Sequence, residues 1–280
     1  MDIAAFKANY ADLIAETKAA VTRDLRPVCP LLPTDGAPGL LDSRFGGPIA
    51  WPAAEPTPQD ADGQPMIFAL QINLGMASPP PGFPQLGLLQ LFLANDLATR
   101  GITFMQEYRA PGDFPLQNGD GFRLVYHPVT EALTAHDYAL PGVEYPIFFD
   151  GLVTTPRVLT VAPPETQSLP PTHWQSLPLW QRFEALPEYD ADPVAVADFL
   201  MDEVWSTRQP PAPHLGGYAQ PLQNDHRFFF KEYRRYSQCV LQLGPLPGID
   251  FGDMAVALLI TPEHLAAADF GDVIAIGDAD

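Results

Sequence analysis

Apolar residues recur along the chain with two different periods, and these periods predict its secondary structure. From Asp2 to Asp24 they recur at steps of three and four residues, which predicts one amphipathic helix ending before Pro27. A second helix is predicted after Asp192, which can cap the helix while Pro193 occupies its first position. Its expected apolar face consists of Val194, Ala197, Leu200, Met201 and Val204.

Short apolar runs bounded by proline or glycine predict strands. They lie at Val28–Leu32, Met66–Leu74, Leu88–Leu93, Thr103–Tyr108, Phe122–Tyr126, Tyr145–Phe149, Arg157–Val161, Val240–Leu243 and Met254–Ile260. Pro-Gly and Asn-Gly pairs between the middle strands are typical of an antiparallel meander. With a further short helix at Pro262–Ala268, the expected fold class is α+β. It would be a predominantly antiparallel β-sheet with peripheral helices, in a single domain of residues 1–280.

Composition and charge narrow the class of protein. The 280 residues are 46% hydrophobic, which is typical of a globular domain, and the 33 prolines predict many short elements. Fifteen Lys and Arg residues against 34 Asp and Glu give a net charge of −19, which argues against nucleic acid and anionic membranes as partners. Neither an apolar signal core nor a run of 18 apolar residues is present, so a soluble cytoplasmic protein is expected.

The sequence carries no signature of a known catalytic site or metal site. It lacks a nucleophile elbow, a phosphate-binding loop and a dinucleotide fingerprint. Cys29, Cys239 and six scattered histidines offer no metal-ligand spacing, so neither a metal nor a cofactor is expected and both thiols should be reduced. The carboxylate pairs Asp60/Asp62 and Asp190/Asp192 lie near prolines, where they would cap turns. A glycosidase-like pair stays open, because such carboxylates meet only in the fold.

A glycine- and proline-rich motif at 41–71 organises the first half of the chain. Its Gly46 and Gly47 allow backbone angles that a side chain forbids, so at least one positive φ is expected, with Trp51 buried. Ser43 to Pro48, Trp51-Pro52, Gly63 to Met66 and Gln71 to Leu74 resemble the signature of the YwqG-like family, a bacterial domain of unknown function. The resemblance continues more loosely over 214–270. It implies membership of that bacterial family without implying an activity.

Two parts of the chain can be laid on one another. Gly46-Gly47 matches Gly216-Gly217, Gln71 matches Gln242, and Leu97 matches Leu265, all at offsets of 168 to 171 residues. These matches predict an internal duplication of two pseudo-symmetric halves, 41–110 and 211–280, with any site lying where equivalent turns meet. Coincidence is the alternative, because glycine pairs are common in a chain so rich in glycine and proline.

Polar side chains within apolar strands form a first set of candidate ligand-binding residues. A buried amide without a partner is costly, so each must bond either to the backbone or to a ligand. Arg44 stands beside Phe45 and the glycines, and is expected to be partly buried and paired with a carboxylate or a ligand. The set comprises Arg44, Trp51, Gln71, Asn73, Gln90, Gln223 and Gln242.

A second candidate set is a concentration of positive charge late in the chain. Four of the 15 cations lie within nine residues, namely Arg227, Lys231, Arg234 and Arg235. On a single helix they would fall at i, i+4, i+7 and i+8 on one face, with aromatic residues on another. Such a face would either bind an anion or an acidic partner, or only balance the acidic surface.

These observations support two classes of function. The favoured class is a non-enzymatic binding or protein-interaction domain for an unknown protein or a small polar ligand, because rigid turns recur and a nucleophile–base pair does not. The alternative is a hydrolase-like enzyme that acts on a carbohydrate or peptide through paired carboxylates. No nucleic acid, membrane, metal or cofactor is expected as a partner.

Overall fold

A large antiparallel sheet dominates the computed structural model, which describes residues 2–60, 63–94, 116–136, 156–170, 173, 179–205, 213–222, 225, 227, 230–244 and 254–279. Twelve strands form this sheet, and β3 and β8 form a separate pair. The strands are β1 (Arg26–Thr34), β2 (Arg44–Phe45), β3 (Ile49–Pro52), β4 (Ile67–Asn73), β5 (Leu88–Leu93), β6 (Leu116–Gln117), β7 (Phe122–His127), β8 (Leu133–His136), β9 (Arg157–Val161), β10 (Glu165–Gln167), β11 (His214–Gly216), β12 (Gln238–Leu243), β13 (Met254–Ile260) and β14 (Val273–Ala279).

Strand β1 joins the two parts of the large sheet. Its residues 26–30 pair with β10 and β11, whereas residues 31–34 pair with β9. From β11 the sheet continues through β12, β13 and β14 to β6, and from β9 it continues through β2, β4 and β5 to β7. Because a short turn at 118–121 joins β6 to β7, the two ends of the sheet meet. Both parts of the sheet contribute to one core. It contains Leu70 and Leu91 from β4 and β5, and Leu241 and Leu258 from β12 and β13.

Burial on both faces explains why the central strands are almost wholly apolar. Every residue of β5 is buried, as expected for the run Leu88–Leu93. Leu89 and Leu91 pack in the shared core, whereas Phe92 packs on the opposite face against Trp51 of β3. The small β3–β8 sheet therefore covers the outer face of the large sheet at this point.

Five of the helices in the described ranges, the first five along the chain, form a second apolar cluster beside the sheet. The helices are α1 (Ile3–Asn9), α2 (Ala11–Val21), α3 (Trp180–Glu184), α4 (Pro187–Ala191), α5 (Pro193–Trp205) and α6 (Pro262–Ala266), together with a 3₁₀ helix at Lys231–Arg235. Phe6 of α1, Phe183 of α3 and Phe199 of α5 meet in this cluster. No helix within the described ranges combines the length and the apolar character needed to cross a bilayer. The α+β class expected from the sequence agrees with this arrangement.

The helix predictions were right in kind but differ in detail. The predicted N-terminal helix is broken at Tyr10, where φ is −120° and ψ is 23°, so α1 and α2 are separate. Asp192 caps α5 as predicted, since its Oδ1 accepts the Ala195 N–H at 3.0 Å. The buried face of α5 differs, because Phe199 and Trp205 bury more apolar area than the predicted Val194, which is 67% exposed.

Several strands were not predicted because they are too short to show a period. β2, β3, β6, β8, β10 and β11 have two to four residues each. Strand β14 was also missed, although residues 273–277 are buried. The predicted strands Thr103–Tyr108 and Tyr145–Phe149, and the repeat landmark Leu97, lie outside the described residues.

The glycine motif has the predicted backbone. Gly46 and Gly47 have φ of 59° and 80°, and Trp51 is 6% exposed, so both expectations are confirmed. A Cβ added at Gly47 would lie 2.9 Å from Pro156 Cβ, so both the angle and the close approach require glycine. Gly216, the last residue of β11, and Gly217 after it have similar φ of 77° and 71°.

Replacing Gly47 by alanine should destabilise the fold through both strain and crowding. Gly63 offers a matched control, because its φ is +76° but a Cβ there would meet nothing within 4 Å. We expect Gly63→Ala to lower the free energy of unfolding by about 1 kcal/mol, and Gly47→Ala to lower it by about 1–3 kcal/mol more than that. Urea unfolding measures both free energies. Equal losses in the two variants would contradict the packing against Pro156.

Helix α6 ends on a strained residue that glycine should relieve. Ala268 has a φ of 53°, and the Asp269 N–H donates to His264 O at 2.9 Å, which closes a Schellman turn. We expect Ala268→Gly to raise the free energy of unfolding by about 1 kcal/mol. Ala266→Gly, within the helix, should lower it by about 0.5–1 kcal/mol. Destabilisation by Ala268→Gly in urea unfolding would show that this turn carries no strain.

Candidate functional site

The buried amides of the first half bond to one another and to the backbone. The Gln71 Nε2 group donates to Leu40 O at 3.0 Å and to Asp42 O at 2.9 Å. Gln71 Oε1 accepts from Gln90 Nε2 at 2.8 Å, and Gln90 Oε1 lies 3.1 Å from Nε2 of His127. Since the Gln90 oxygen can only accept, His127 donates from Nε2. Burial lowers the pKa of His127 and favours this neutral ring.

The remaining amides of the first candidate set are bonded in the same way. Asn73 Nδ2 donates to Leu41 O at 2.8 Å, while its Oδ1 accepts two N–H groups of the next turn. Gln242 Oε1 accepts the Gln220 N–H at 2.8 Å, and the Trp51 indole donates to Pro56 O at 3.1 Å. These side chains hold irregular loops against the sheet. Gln223 lies outside the described residues.

Arg44 is more deeply buried than expected, at 1% exposure. Its Nη2 donates to Pro48 O, and among the described residues it forms no ion pair, so the expected carboxylate partner is not found. Burial lowers the pKa of Arg44 to about 10, although Asp42 nearby favours the charged form. In β11, His214 lies opposite Gln242 of β12, as Arg44 of β2 lies opposite Gln71 of β4.

The cationic segment does not form the predicted single helix. The 3₁₀ helix spans only Lys231–Arg235, and Arg227 lies outside it. The prediction that the four cations share one helical face, at i, i+4, i+7 and i+8, is therefore wrong. The physical reason is that Arg227 turns inward to the buried Asp225 carboxylate. Lys231 and Arg235 are exposed, and the Arg235 guanidinium lies 4.8 Å from the ring centroid of Tyr236.

Arg227 and Arg234 instead line a pocket at the junction between the helices and the sheet. Its volume is about 360 Å³. It lies where α2 leads into β1, beneath the segment that precedes β12. Four of its lining residues are arginines, which is notable in a chain with 15 cations and 34 acids. The described lining residues are Ala20, Arg23, Asp24, Arg26, Leu169, His173, Tyr218, Asp225, Arg227, Arg234 and Ser237.

A buried ion pair fixes the inner wall of this pocket. Asp225 is 1% exposed and Arg227 is 9% exposed. The Arg227 Nε donates to both carboxylate oxygens, at 2.9 and 3.1 Å, and its Nη1 donates to Tyr236 O at 2.7 Å. Burial alone would raise the pKa of Asp225, but the hydrogen bonds and charge of Arg227 outweigh it and hold that pKa below its usual range. The Asp225 carboxylate is therefore ionised, and its hydrogen bonds together with that of Tyr236 O hold the Arg227 guanidinium in place.

His173 completes this inner wall as a neutral ring. Its Nε2 lies 2.9 Å from Ala219 O and 3.1 Å from Asp225 Oδ2, and since both oxygens accept, this nitrogen carries the proton. Burial lowers the pKa of His173 to about 4, with Asp225 opposing the shift and Arg227 reinforcing it. The ring thus adds no charge to the pocket near neutral pH.

The outer wall is built from the turn between α2 and β1. The Arg26 guanidinium lies 4.0 Å from the ring centroid of Tyr218, and its Nη1 donates to Ser237 O at 2.7 Å. The Tyr218 hydroxyl donates to Asp24, and burial raises the pKa of Tyr218 to about 12. Arg23 is exposed and forms no ion pair with any described residue.

Sequence reasoning identified Arg227 and Arg234 but missed the rest of the pocket. The available signal was the pair Arg23 and Arg26, because two cations within four residues stand out in so acidic a chain. His173 gave no signal, since it lies 52 positions before Asp225 and only the fold brings the two together.

The predicted carboxylate pairs do not meet in this pocket. Asp60 Oδ1 accepts the Gln64 N–H at 2.8 Å and closes a turn, and Asp192 caps α5. Asp62 is outside the described residues. In the part of the chain that the structure describes, no three His, Cys, Asp or Glu side chains group as metal ligands. Cys29 and Cys239 are buried and unpaired, and burial raises the pKa of Cys239 to about 12.

The buried histidines should make the protein sensitive to acid. Burial lowers the pKa of His214 from 6.5 to about 4, so between these values the unfolded chain binds more protons and stability rises with pH. This shift corresponds to about 3 kcal/mol in the free energy of unfolding, which is present above pH 6.5 and is lost as the pH falls towards 4. We expect His214→Gln to show a weaker pH dependence in urea unfolding over this range. An unchanged pH dependence would show that His214 titrates normally.

One comparison with known proteins gives a match. A family model described as a domain of unknown function (DUF1963) matches residues 43–278, and no curated protein matches the chain. The matched region contains both glycine turns and the pair Asp225–Arg227, whereas Arg23 and Arg26 precede it. Because the match spans most of the 280 residues, the chain belongs to the DUF1963 family.

Proposed function

We propose that this protein is a non-enzymatic binding protein whose pocket takes a negatively charged ligand. The observation that carries the proposal is the gathering of four arginines around one cavity of about 360 Å³ in a protein of net charge −19. A cavity of this size is within the range of small-molecule sites. The ligand would be either a small molecule or an acidic side chain of a partner protein.

The energetics of the pocket support an anionic ligand. Like charges held close together repel, and the described lining offers only Asp24 and Asp225 against the four arginines. Asp225 is already engaged by Arg227, and Asp24 Oδ2 lies 3.7 Å from Arg26 Nη2. An anion would offset the remaining repulsion, and guanidinium groups present paired donors that match carboxylate and phosphate oxygens.

The local chemistry favours binding over catalysis. A hydrolase with paired carboxylates needs an acid or a base that is available to the substrate. Asp225 is 1% exposed and its oxygens accept from Arg227 and His173. His173 is neutral and donates to that carboxylate, so neither group is arranged as a free general base.

An internal duplication is part of the same proposal, and the register of the strands supports it. Strands β4 and β12 each pair with a short strand that ends in glycines of positive φ. Each also shifts register at a matching place, between Phe68 and Leu70 and between Cys239 and Leu241. The motif Ser43 to Pro48 likewise supports placing the chain with the YwqG-like proteins.

Neutralising an arginine of the outer wall should weaken anion binding without unfolding the protein. Arg23 suits this test because it is exposed and unpaired within the described structure. We expect Arg23→Gln to weaken the binding of sulfate about threefold to tenfold, as measured by calorimetry at low salt, and to leave the melting temperature unchanged. The loss should diminish as ionic strength rises, since exposed charges are screened.

Lys231→Gln provides the matched control. It removes the same charge from the neighbouring 3₁₀ helix, but Lys231 does not line the pocket. It should leave sulfate binding nearly unchanged. Equal losses in the two variants would show that only overall charge matters, and the absence of any anion binding to the wild-type protein would overturn the proposal.

A further inference from the structure

An open seam runs along the outer edge of strand β7. Strand β7 pairs with β5 and strand β6 pairs with β14, whereas among the described residues a single bridge, from Asn118 to Phe122, joins β6 to β7. The turn between α6 and β14 lies across the seam. A groove of about 440 Å³ remains there, lined by residues 118–119, 123–126 and 268–271. It shares no described lining residue with the arginine pocket.

The backbone groups that face this seam belong to alternate residues of β7. In an antiparallel ladder, hydrogen-bonded and non-hydrogen-bonded pairs alternate along each strand. Gly121 O accepts the Ala94 N–H at 2.8 Å, so Gly121 bonds towards β5, and every second residue after it does the same. The N–H and C=O groups of Phe122, Leu124 and Tyr126 therefore point away from β5 and into the seam.

The side chain of Asn118 takes the place of a neighbouring strand beside Leu124. Its Nδ2 donates to Leu124 O at 3.0 Å, and its Oδ1 accepts the Leu124 N–H at 2.9 Å, which is the pair of bonds that a strand residue would exchange. Phe122 O accepts the Gly119 N–H at 2.8 Å. Tyr126 comes next, and within the described part of the chain its N–H and C=O have no partner. The pairing edge is thus closed at Leu124 and open at Tyr126.

The side chains beside the open position are apolar. The rings of Tyr126 and Phe270 lie 5.4 Å apart between centroids, and both pack in or against the shared core, as does Ala268. Residues directly opposite each other in an antiparallel pair place their side chains on the same face of the sheet. A peptide residue opposite Tyr126 would therefore direct its side chain towards Phe270 and Ala268, which favours an apolar residue.

Arg123 brings a positive charge to the closed end of the groove. It is the one cation among the described lining residues, is exposed, and forms no ion pair with a described residue. A Cβ at Gly119 would lie 3.9 Å from Arg123 Nη2, so the guanidinium reaches the turn where Asn118 closes the edge. A peptide running antiparallel to β7 would have its carboxyl end there. Because Asn118 occupies the place opposite Leu124, that peptide can extend only one residue beyond the position opposite Tyr126.

We infer that this groove binds the carboxyl terminus of an extended peptide, which pairs antiparallel with β7. The penultimate peptide residue exchanges two hydrogen bonds with the Tyr126 backbone, and the terminal carboxylate accepts from Arg123. An internal acidic residue fits less well, because the peptide would then have to continue through the place of Asn118. This site is independent of the proposed anion pocket.

A display library of random heptapeptides with free carboxyl ends tests the inference. We expect enrichment of peptides with an apolar penultimate residue. In fluorescence anisotropy, an enriched peptide should bind at least about tenfold more tightly than its C-terminal amide. The net charge of −19 favours the amide, so general electrostatics cannot produce this preference. If no peptide is enriched, or if the amide binds as tightly as the free acid, the inference fails.

Neutralising Arg123 should affect only the peptide that carries the carboxylate. We expect Arg123→Gln to weaken binding of the free acid about tenfold, to leave binding of the amide nearly unchanged, and to keep the melting temperature, because the side chain is exposed. Lys231→Gln removes the same charge from a residue outside the described lining of both cavities, and it should change neither affinity. Equal weakening of acid and amide by Arg123→Gln would contradict the inference.

N-methylation of the peptide tests the pairing with β7. The penultimate N–H would donate to Tyr126 O, whereas the N–H of the residue before it would point away from β7. We expect a methyl group on the penultimate nitrogen to weaken binding at least about tenfold, and one on the preceding nitrogen to weaken it by about threefold at most. Equal losses at the two nitrogens would show that the peptide does not pair with this strand, and would overturn the inference.

Discussion

The Asp225 carboxylate compensates the buried charge of Arg227, and the geometry of the pocket depends on this ion pair. At 9% exposure the Arg227 guanidinium has lost most of its hydration, and the hydrogen-bonded Asp225 carboxylate offsets that cost. The pair holds Arg227 against Tyr236 O, in the wall of the pocket that Arg26 also lines. Asp225 also accepts a hydrogen bond from the His173 Nε2–H and so fixes the tautomer of that ring. Losing either partner would leave an unpaired charge in the interior.

The sheet explains why these residues meet. Strand β1 belongs to both parts of the sheet, and its first residue, Arg26, lies where the helices reach the second part. Tyr218 follows the glycine turn after β11, and Ser237 precedes β12. The left-handed glycines at 216 and 217 bring the chain close to β1, since a Cβ at Gly216 would lie 3.1 Å from Pro27 O. The glycine turn therefore positions Tyr218 in the outer wall of the pocket.

How much the sequence could predict depended on the range of the interactions. Long apolar runs such as Leu88–Leu93 and local caps such as Asp192 have causes within a few residues, and both predictions were right. Gly46 and Gly47 were predicted for the same local reason. The pocket could not be predicted, because Arg26 and Arg227 lie about 200 residues apart in the sequence and reach the same pocket only in the folded sheet. The predicted cationic helix failed because a buried carboxylate at 225 outweighed helical spacing.

The central claim is that the pocket lined by Arg23, Arg26, Arg227 and Arg234 binds an anion. A crystal soaked in selenate, a tetrahedral anion with an anomalous signal, tests this claim most directly. We expect an anomalous peak inside the pocket, within hydrogen-bonding distance of at least one of its arginines, with Asp225 still paired to Arg227. Selenate peaks only at other surfaces, with none in this pocket at a saturating concentration, would contradict the claim.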